Sequence, residues 1–194
     1  MRWELDEGGL LELLPDFVPA AERARWFERV RGAVPFEAKQ IRIMGRTVAQ
    51  PRLTAWIGDP DAVYTYSGVQ NVPVPWPAPL RDLCELVAVA AGAQFNSVLC
   101  NLYRDGHDSM GMHSDSEPEL GPNPRIASVS LGAVRRFQLR HRRNKAARLD
   151  LDLPDGSLLI MSGSVQHHYR HAVPKQPAID APRINLTFRN VLTR

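Results

Sequence analysis

The chain has 194 residues, 44% hydrophobic and 23% charged, with two cysteines and a formal net charge of +3. That length suits one domain whose core needs no staples, so a disulfide-built secreted scaffold is excluded. No apolar run approaches the ~18 residues of a membrane span, and the start MRWELDEGG is acidic and lacks the apolar centre of a secretory signal, so the expected compartment is the cytosol.

Residues 1–22 carry six acids and one base. Residues 19–31, PAAERARWFERVR, read as an amphipathic helix with Trp26, Phe27 and Val30 on the apolar side and Gly32 as the stop. QIRIMGRTV at residues 40–48 reads as a hairpin turning near Met44 and Gly45. A second helix is expected over 79–91. Pro79 suits its first turn, Leu80, Leu83, Cys84, Val87, Ala88 and Ala91 form one stripe, and Gly92 closes it. Cys84 and Cys100 read as small buried hydrophobes. From residue 95 the texture changes to short strands divided by turns: FNSVLCNLY, RIASVSLG, RRFQLRH, RLDLDLP, GSLLIMSG, HHYRHAV and RINLTFRN. This suits a sandwich or barrel whose β-rich core is C-terminal, with helices before it.

Of 24 basic residues, only Lys39, Lys145 and Lys175 are lysine. A GC-rich genome would produce that bias, as would an anionic partner gripped by guanidinium forks. Placement is more telling: residues 135–148, RRFQLRHRRNKAAR, carry seven bases and no acid. Such a run is either a phosphate-contacting surface or a solvated loop.

His113 and Asp115 stand at i and i+2, which on an extended strand points an imidazole and a carboxylate the same way. A third ligand from a distant strand would complete the two-histidine, one-carboxylate set that binds Fe(II) on one face. The cluster QHHYRH offers His167, His168 and His171, and spacing does not choose among them. In PRINLTFRN, alternation puts Ile184, Leu186 and Phe188 on one face and Arg183, Asn185, Thr187 and Arg189 on the other. The two arginines lie about 20 Å apart along the strand, and their side chains can lean in on a short dicarboxylate. The alternative is a polar, solvent-facing edge strand.

Taken in order, NLYRDGHDSMGMHSDSE, RIASVSLGAVRRFQLRH, GSLLIMSG, HHYRHAVP and PRINLTFR closely resemble the AlkB family of Fe(II)- and 2-oxoglutarate-dependent dioxygenases, nearest its nucleic-acid dealkylases. The resemblance runs from about residue 36 to residue 190. It implies a mainly β fold with flanking helices (α+β), a double-stranded β-helix or jelly roll. Residues 1–94 would supply helices and a nucleotide-recognition lid, and residues 95–194 the catalytic core of a single domain. It implies Fe(II), 2-oxoglutarate and O2 as cofactors and co-substrates, with His113, Asp115 and His171 as iron ligands. Asn101, Tyr103, Arg183, Asn185, Thr187 and Arg189 would serve 2-oxoglutarate, Arg183 at its distal carboxylate and Arg189 near the carboxylate beside iron.

On the substrate side, Tyr64, Thr65, Tyr66 and Ser67 match the nucleotide-recognition segment, and Ser116 and Glu117 would border the base pocket. Met44 would be the apolar wedge of a finger, with Gly45, Arg46 and Arg52 meeting the nucleic-acid backbone. The implied reaction is oxidative dealkylation of N-alkylated bases such as 1-methyladenine and 3-methylcytosine in DNA, on a base that has left the stack. RNA as substrate and a non-catalytic binder of alkylated nucleic acid are the alternatives. A monomer with no membrane partner is expected.

Overall fold

The computed structural model describes residues 1–43, 46–66 and 69–192; for 41–43, 46–47, 64–66 and 69–71 it describes the backbone alone. In chain order the elements are β1 (Arg2–Glu4), β2 (Gly9–Leu14), α1 (Arg23–Ala33), β3 (Glu37–Ile43), β4 (Arg46–Gly58), β5 (Tyr64–Tyr66), β6 (Val69–Asn71), α2 (Ala78–Ala91) and β7 (Ser97–Tyr103). They continue with β8 (Met110–His113), β9 (Ile126–Gly132), β10 (Arg135–His141), β11 (Arg148–Leu153), β12 (Leu158–Gly163), α3 (Val165–His168), β13 (Tyr169–Val173) and β14 (Arg183–Arg189).

Eight strands form one sheet in the order β1-β2-β12-β9-β14-β7-β4-β3, and four form a second, β11-β10-β13-β8. The pairings within both are antiparallel. Strand alternation divides the large sheet into two faces. Its outer face, with Ile57, Val98, Val129, Ile160, Leu186 and Phe188, packs against Trp26 and Val30 of α1 and Leu80, Leu83 and Val87 of α2. Near β2 and β12 its inner face is apolar: Leu11, Leu13, Leu159 and Met161 meet Phe137, Leu139 and Leu153 of the small sheet. Toward β14 and β7 the inner positions become Asn185, Thr187, Asn101 and Arg183, all buried. The site lies at that change of polarity.

The strands are not confined to residues after 95. GLLELL alternates Leu11 and Leu13 inward with Glu12 outward, so the acidic N-terminus holds β2, paired with β12. RTVAQPRLTAWIG is one long strand, β4, beside β7. The 40–48 hairpin is borne out by the Ile43–Arg46 register, while its tip, Met44 and Gly45, lies outside the described residues. The helix expected over 19–31 begins as a short 3-10 turn and becomes α-helical at Arg23. It runs through Gly32, and Val34 closes it by donating to Val30 O with an extended backbone, so no left-handed glycine is needed. Gly92 is such a residue, at φ 60°, and it ends α2. HHYRHAV is not all strand: His167 and His168 end α3, and β13 starts at Tyr169.

Candidate metal and co-substrate site

His113 ends β8, and His171 lies opposite it in the antiparallel pairing of β8 with β13. Their ring centroids are 4.2 Å apart. Asp115 follows two residues later, and ligand atoms of the three residues lie within 4.8 Å of one another. His113 Nδ1 sits 2.9 Å from Gly111 O, which orients the ring so that Nε2 stands 3.8 Å from Asp115 Oδ1. An imidazole anchored through one nitrogen to a carbonyl is how metal-binding histidines are commonly held.

The same pairing separates the three histidines that spacing could not. His167 points at Pro122 O, His168 Nδ1 meets Glu7 at 2.7 Å, and His171 alone reaches the HxD turn. Glu7, His141 and His168 form a second cluster, but His141 Nδ1 accepts the N–H groups of Arg143 (3.1 Å) and Asn144 (2.8 Å). A ring that accepts at Nδ1 carries a proton on Nε2, which leaves that atom no lone pair for a metal; Nε2 stands 3.6 Å from Glu7 and is buried without a hydrogen-bond partner.

The ionisation states at the first cluster suit a cation. Burial pushes the Asp115 carboxyl up, but Arg189, His113 and His171 outweigh it and hold it at about 2. Arg189 Nη2 donates to Asp115 Oδ1 at 2.9 Å, while Asp115 Oδ2 is buried with no hydrogen-bond partner. Burial, together with His113, lowers His171 to about 3, and its Nδ1 is also buried without a partner. Unpaired buried polar atoms cost about 1–3 kcal/mol each. An ionised carboxylate and a neutral imidazole are the forms that bind metal, so the donor set fits a divalent ion.

A cavity of about 400 Å³, including its open mouth, joins His113, Asp115 and His171 to Asn101, Tyr103, Asn185, Thr187 and Arg189. β14 lies between β7 and β9 with all seven residues buried, so its polar row faces the interior and is not a solvent-facing edge. Arg183 is not part of that lining. Its guanidinium lies over the Tyr103 ring at 5.3 Å, donates to Ser130 Oγ, and leaves Nε and Nη1 buried without hydrogen-bond partners. Burial lowers its pKa to about 10. Two unused donors on a buried cation fit one carboxylate of a dicarboxylate. Asn185 is spent internally, donating to Ser128 Oγ and Val129 O and accepting from Thr187 Oγ1. Its place is to set the row.

Two expectations need correction. Arg52 does not stand at a nucleic-acid backbone. It is 7% exposed, and its Nε donates to Asn101 Oδ1 at 2.7 Å because inward positions of β4 face β7. The 135–148 run is neither a continuous phosphate surface nor a loop, since half of it is β10. Arg135 points inward and donates to Asp105 O, Asp108 O and Pro174 O, while Arg136 and Arg140 pair with Asp152 and Asp150 of β11. Arg142, Arg143, Lys145 and Arg148 remain at its far end, and Arg142 Nη2 donates to Ser114 Oγ, between His113 and Asp115.

Sequence patterning does not reveal Gln166, whose Oε1 accepts the Asp115 N–H, or the Arg104–Asp108 pair that braces the loop before β8. Of the residues expected to meet substrate, Ser116 Oγ lies 3.3 Å from Ser114 Oγ, and Glu117 Oε2 is buried without a hydrogen-bond partner. Tyr64, Thr65 and Tyr66 form β5 of a small separate hairpin. Their side chains and that of Arg46, like all of Ser67, lie outside the described residues.

The family model described as "2OG-Fe(II) oxygenase superfamily" matches residues 10–189. The chain belongs to the 2OG-Fe(II) oxygenase superfamily. Oxygenases of this superfamily take Fe(II) and 2-oxoglutarate, as the name states. The chain is 41% identical over 188 residues to the human "Alpha-ketoglutarate-dependent dioxygenase alkB homolog 3", covering 92% of this chain and 65% of that protein. It is 39% identical over 160 residues to the mouse "DNA oxidative demethylase ALKBH2", covering 79% of this chain and 67% of that protein. The AlkB resemblance carried by the motifs therefore stands. A solved structure described as "The structure of OsALKBH1" superposes with a TM-score of 0.67 at 17% identity, over 93% of this chain and 97% of that one, which shows the shared fold. Among the described residues, no helix is long and apolar enough to cross a membrane.

Proposed function

We propose that this chain is an Fe(II)- and 2-oxoglutarate-dependent dioxygenase that removes alkyl groups from base nitrogens of DNA. The observation that carries the reading is the His113–Asp115–His171 cluster, with Asp115 and His171 buried and His113 half-buried, opening on the same cavity as the inward row of β14. Iron and 2-oxoglutarate, when bound, would supply the oxidation: one oxygen atom of O2 goes to 2-oxoglutarate as it becomes succinate and carbon dioxide, the other to the alkyl carbon, which leaves as an aldehyde while the base nitrogen regains a proton. The protein's part is to hold and shield. His113, Asp115 and His171 hold the metal, and Arg189 keeps Asp115 ionised. Arg183 takes the distal carboxylate of 2-oxoglutarate, with Asn101, Tyr103 and Thr187 along its length and Asn185 setting the row. Leu99, Phe137 and Val173 line the cavity with apolar surface that excludes water.

On the substrate side, the target atom lies on the pairing edge of a base, so the base leaves the stack. The unpaired Glu117 Oε2 supports a base-recognising role for the segment after the HxD turn. Ser116, Tyr64, Thr65, Tyr66 and Ser67 share in recognising the base. Met44 with Gly45 and Arg46 is the finger, and Arg142, Arg143 and Lys145 meet phosphates. Residues 1–194 act as one catalytic domain, as a monomer in the cytosol.

Mass spectrometry of oligonucleotides bearing 1-methyladenine or 3-methylcytosine tests the reading, as single- and double-stranded DNA and as RNA, with Fe(II) and 2-oxoglutarate. Loss of the methyl mass with stoichiometric succinate, abolished by His113→Ala and Asp115→Ala, is expected. Demethylation that survives iron removal overturns the metal assignment, and succinate release with no oligonucleotide demethylated overturns the substrate.

A further inference from the structure

Two of the three clustered residues are placed by strand pairing. His113 and His171 face each other in the β8–β13 register. Asp115 is not: the backbone at residues 114–117 belongs to no strand. Its N–H is instead taken by a side chain, Gln166 Oε1, at 2.9 Å in a buried bond. Gln166 is 1% exposed and sits on α3, the turn that runs directly into β13 and His171. Its other end, Nε2, reaches Met161 Sδ at 3.6 Å, a weak acceptor. The amide oxygen is therefore the strong end of this side chain.

We propose that Gln166 is a positioning residue for the metal centre, tying the turn that presents Asp115 to the segment that presents His171. Arg189 fixes the carboxylate end of Asp115, and Gln166 fixes its backbone end. Without that acceptor the Asp115 N–H has no replacement in the dry interior, and the turn swings to find one. The carboxylate then no longer stands where the two rings converge. Groups that orient ligands in this way typically change metal affinity by about 10–100-fold when removed. The inference rests on the reading of His113, Asp115 and His171 as metal ligands.

Mn(II) titration of the full chain without 2-oxoglutarate, followed by electron paramagnetic resonance of free Mn(II), separates the two claims. Wild type should bind and His113→Ala should not; equal behaviour of these two sinks the ligand reading whatever Gln166 does. Gln166→Leu, similar in length but with no acceptor, should weaken Mn(II) binding by about tenfold or more. Gln166→Glu, which keeps an oxygen facing the N–H, should stay within about threefold of wild type. Gln166→Leu binding as wild type does, or Gln166→Glu failing as badly as Gln166→Leu, overturns the proposal. If Gln166→Leu does not fold, amide exchange on metal-free wild type decides. The Asp115 N–H should exchange slowly, as a held buried amide does, and fast exchange overturns the proposal.

Discussion

Replacing Arg189 with methionine tests the electrostatics of the site directly. Arg189 Nη2 lies 2.9 Å from Asp115 Oδ1, with 3% and 5% of the two side chains exposed. The pairing, with help from the two histidines, holds the carboxyl at about 2 against an ordinary 3.8. At about 1.4 kcal/mol per pH unit, that difference represents about 2.5 kcal/mol of stability at neutral pH. A carboxyl depressed on folding contributes fully above its unfolded value, and the contribution is lost as pH falls through about 2. Without Arg189, only the two histidines oppose the burial that disfavours ionisation, so the carboxyl rises. A buried charge deprived of its partner costs about 3–5 kcal/mol at neutral pH. Acid relieves the cost by protonating Asp115. Arg189 also helps depress His171, so its removal eases protonation there and acts in the same direction.

Urea unfolding of chelator-treated protein reads this out. The variant should lose about 3 kcal/mol or more near pH 7.5 and at least about 1 kcal/mol less than that near pH 5. Saturating Mn(II) at the higher pH should recover part of the loss, since a cation then replaces the missing charge. A loss equal at both pH values, or below about 1 kcal/mol near neutrality, refutes the reasoning.

Asp108→Asn should cost about 1–3 kcal/mol at neutral pH, because the buried carboxylate accepts Arg104 N, Nε and Nη2. Burial pushes that carboxyl up but the Arg104 bonds win and hold it below the ordinary range, so denaturation curves of variant and wild type should converge as pH falls through that range. Replacing Arg142, Arg143 and Lys145 by glutamine should reduce the salt slope of DNA binding by about 0.7–0.9 for each phosphate left without its cation, whereas Arg136→Gln, at a residue already paired with Asp152, should leave it unchanged. Identical slopes for both sets, measured by fluorescence anisotropy, would return the far end of the run to a solvated turn. Gly106→Ala should strongly destabilise the chain or prevent its folding, since a Cβ there would collide with the backbone carbonyl of Gln176. A melting temperature within a few degrees of wild type would contradict that.

His113, Asp115 and the polar row of β14 were legible in the sequence because their chemistry and spacing are local, whereas His171, Asn101 and Tyr103 were singled out only by the AlkB resemblance. The HxD pair and the alternation of RINLTFR depend on the period of a strand alone. The helical period and a closing glycine likewise located α2, and strand-length runs between turns located most strands after residue 95. The fate of the 135–148 arginines was not legible. Whether each is buried, paired or free depends on what stands opposite: carbonyls of residues 105, 108 and 174 for Arg135, acids of β11 for Arg136 and Arg140. β2 was hidden because residues 1–22 were read by their six acids, of which only Glu12 lies in the strand, on its outward side. The choice of His171 by its place in the chain, the seating of Arg52 on Asn101, and the bond from Gln166 to Asp115 are decided only when β8, β13 and α3 meet. Each joins residues far apart along the chain, and composition and period carry no information about pairs so distant.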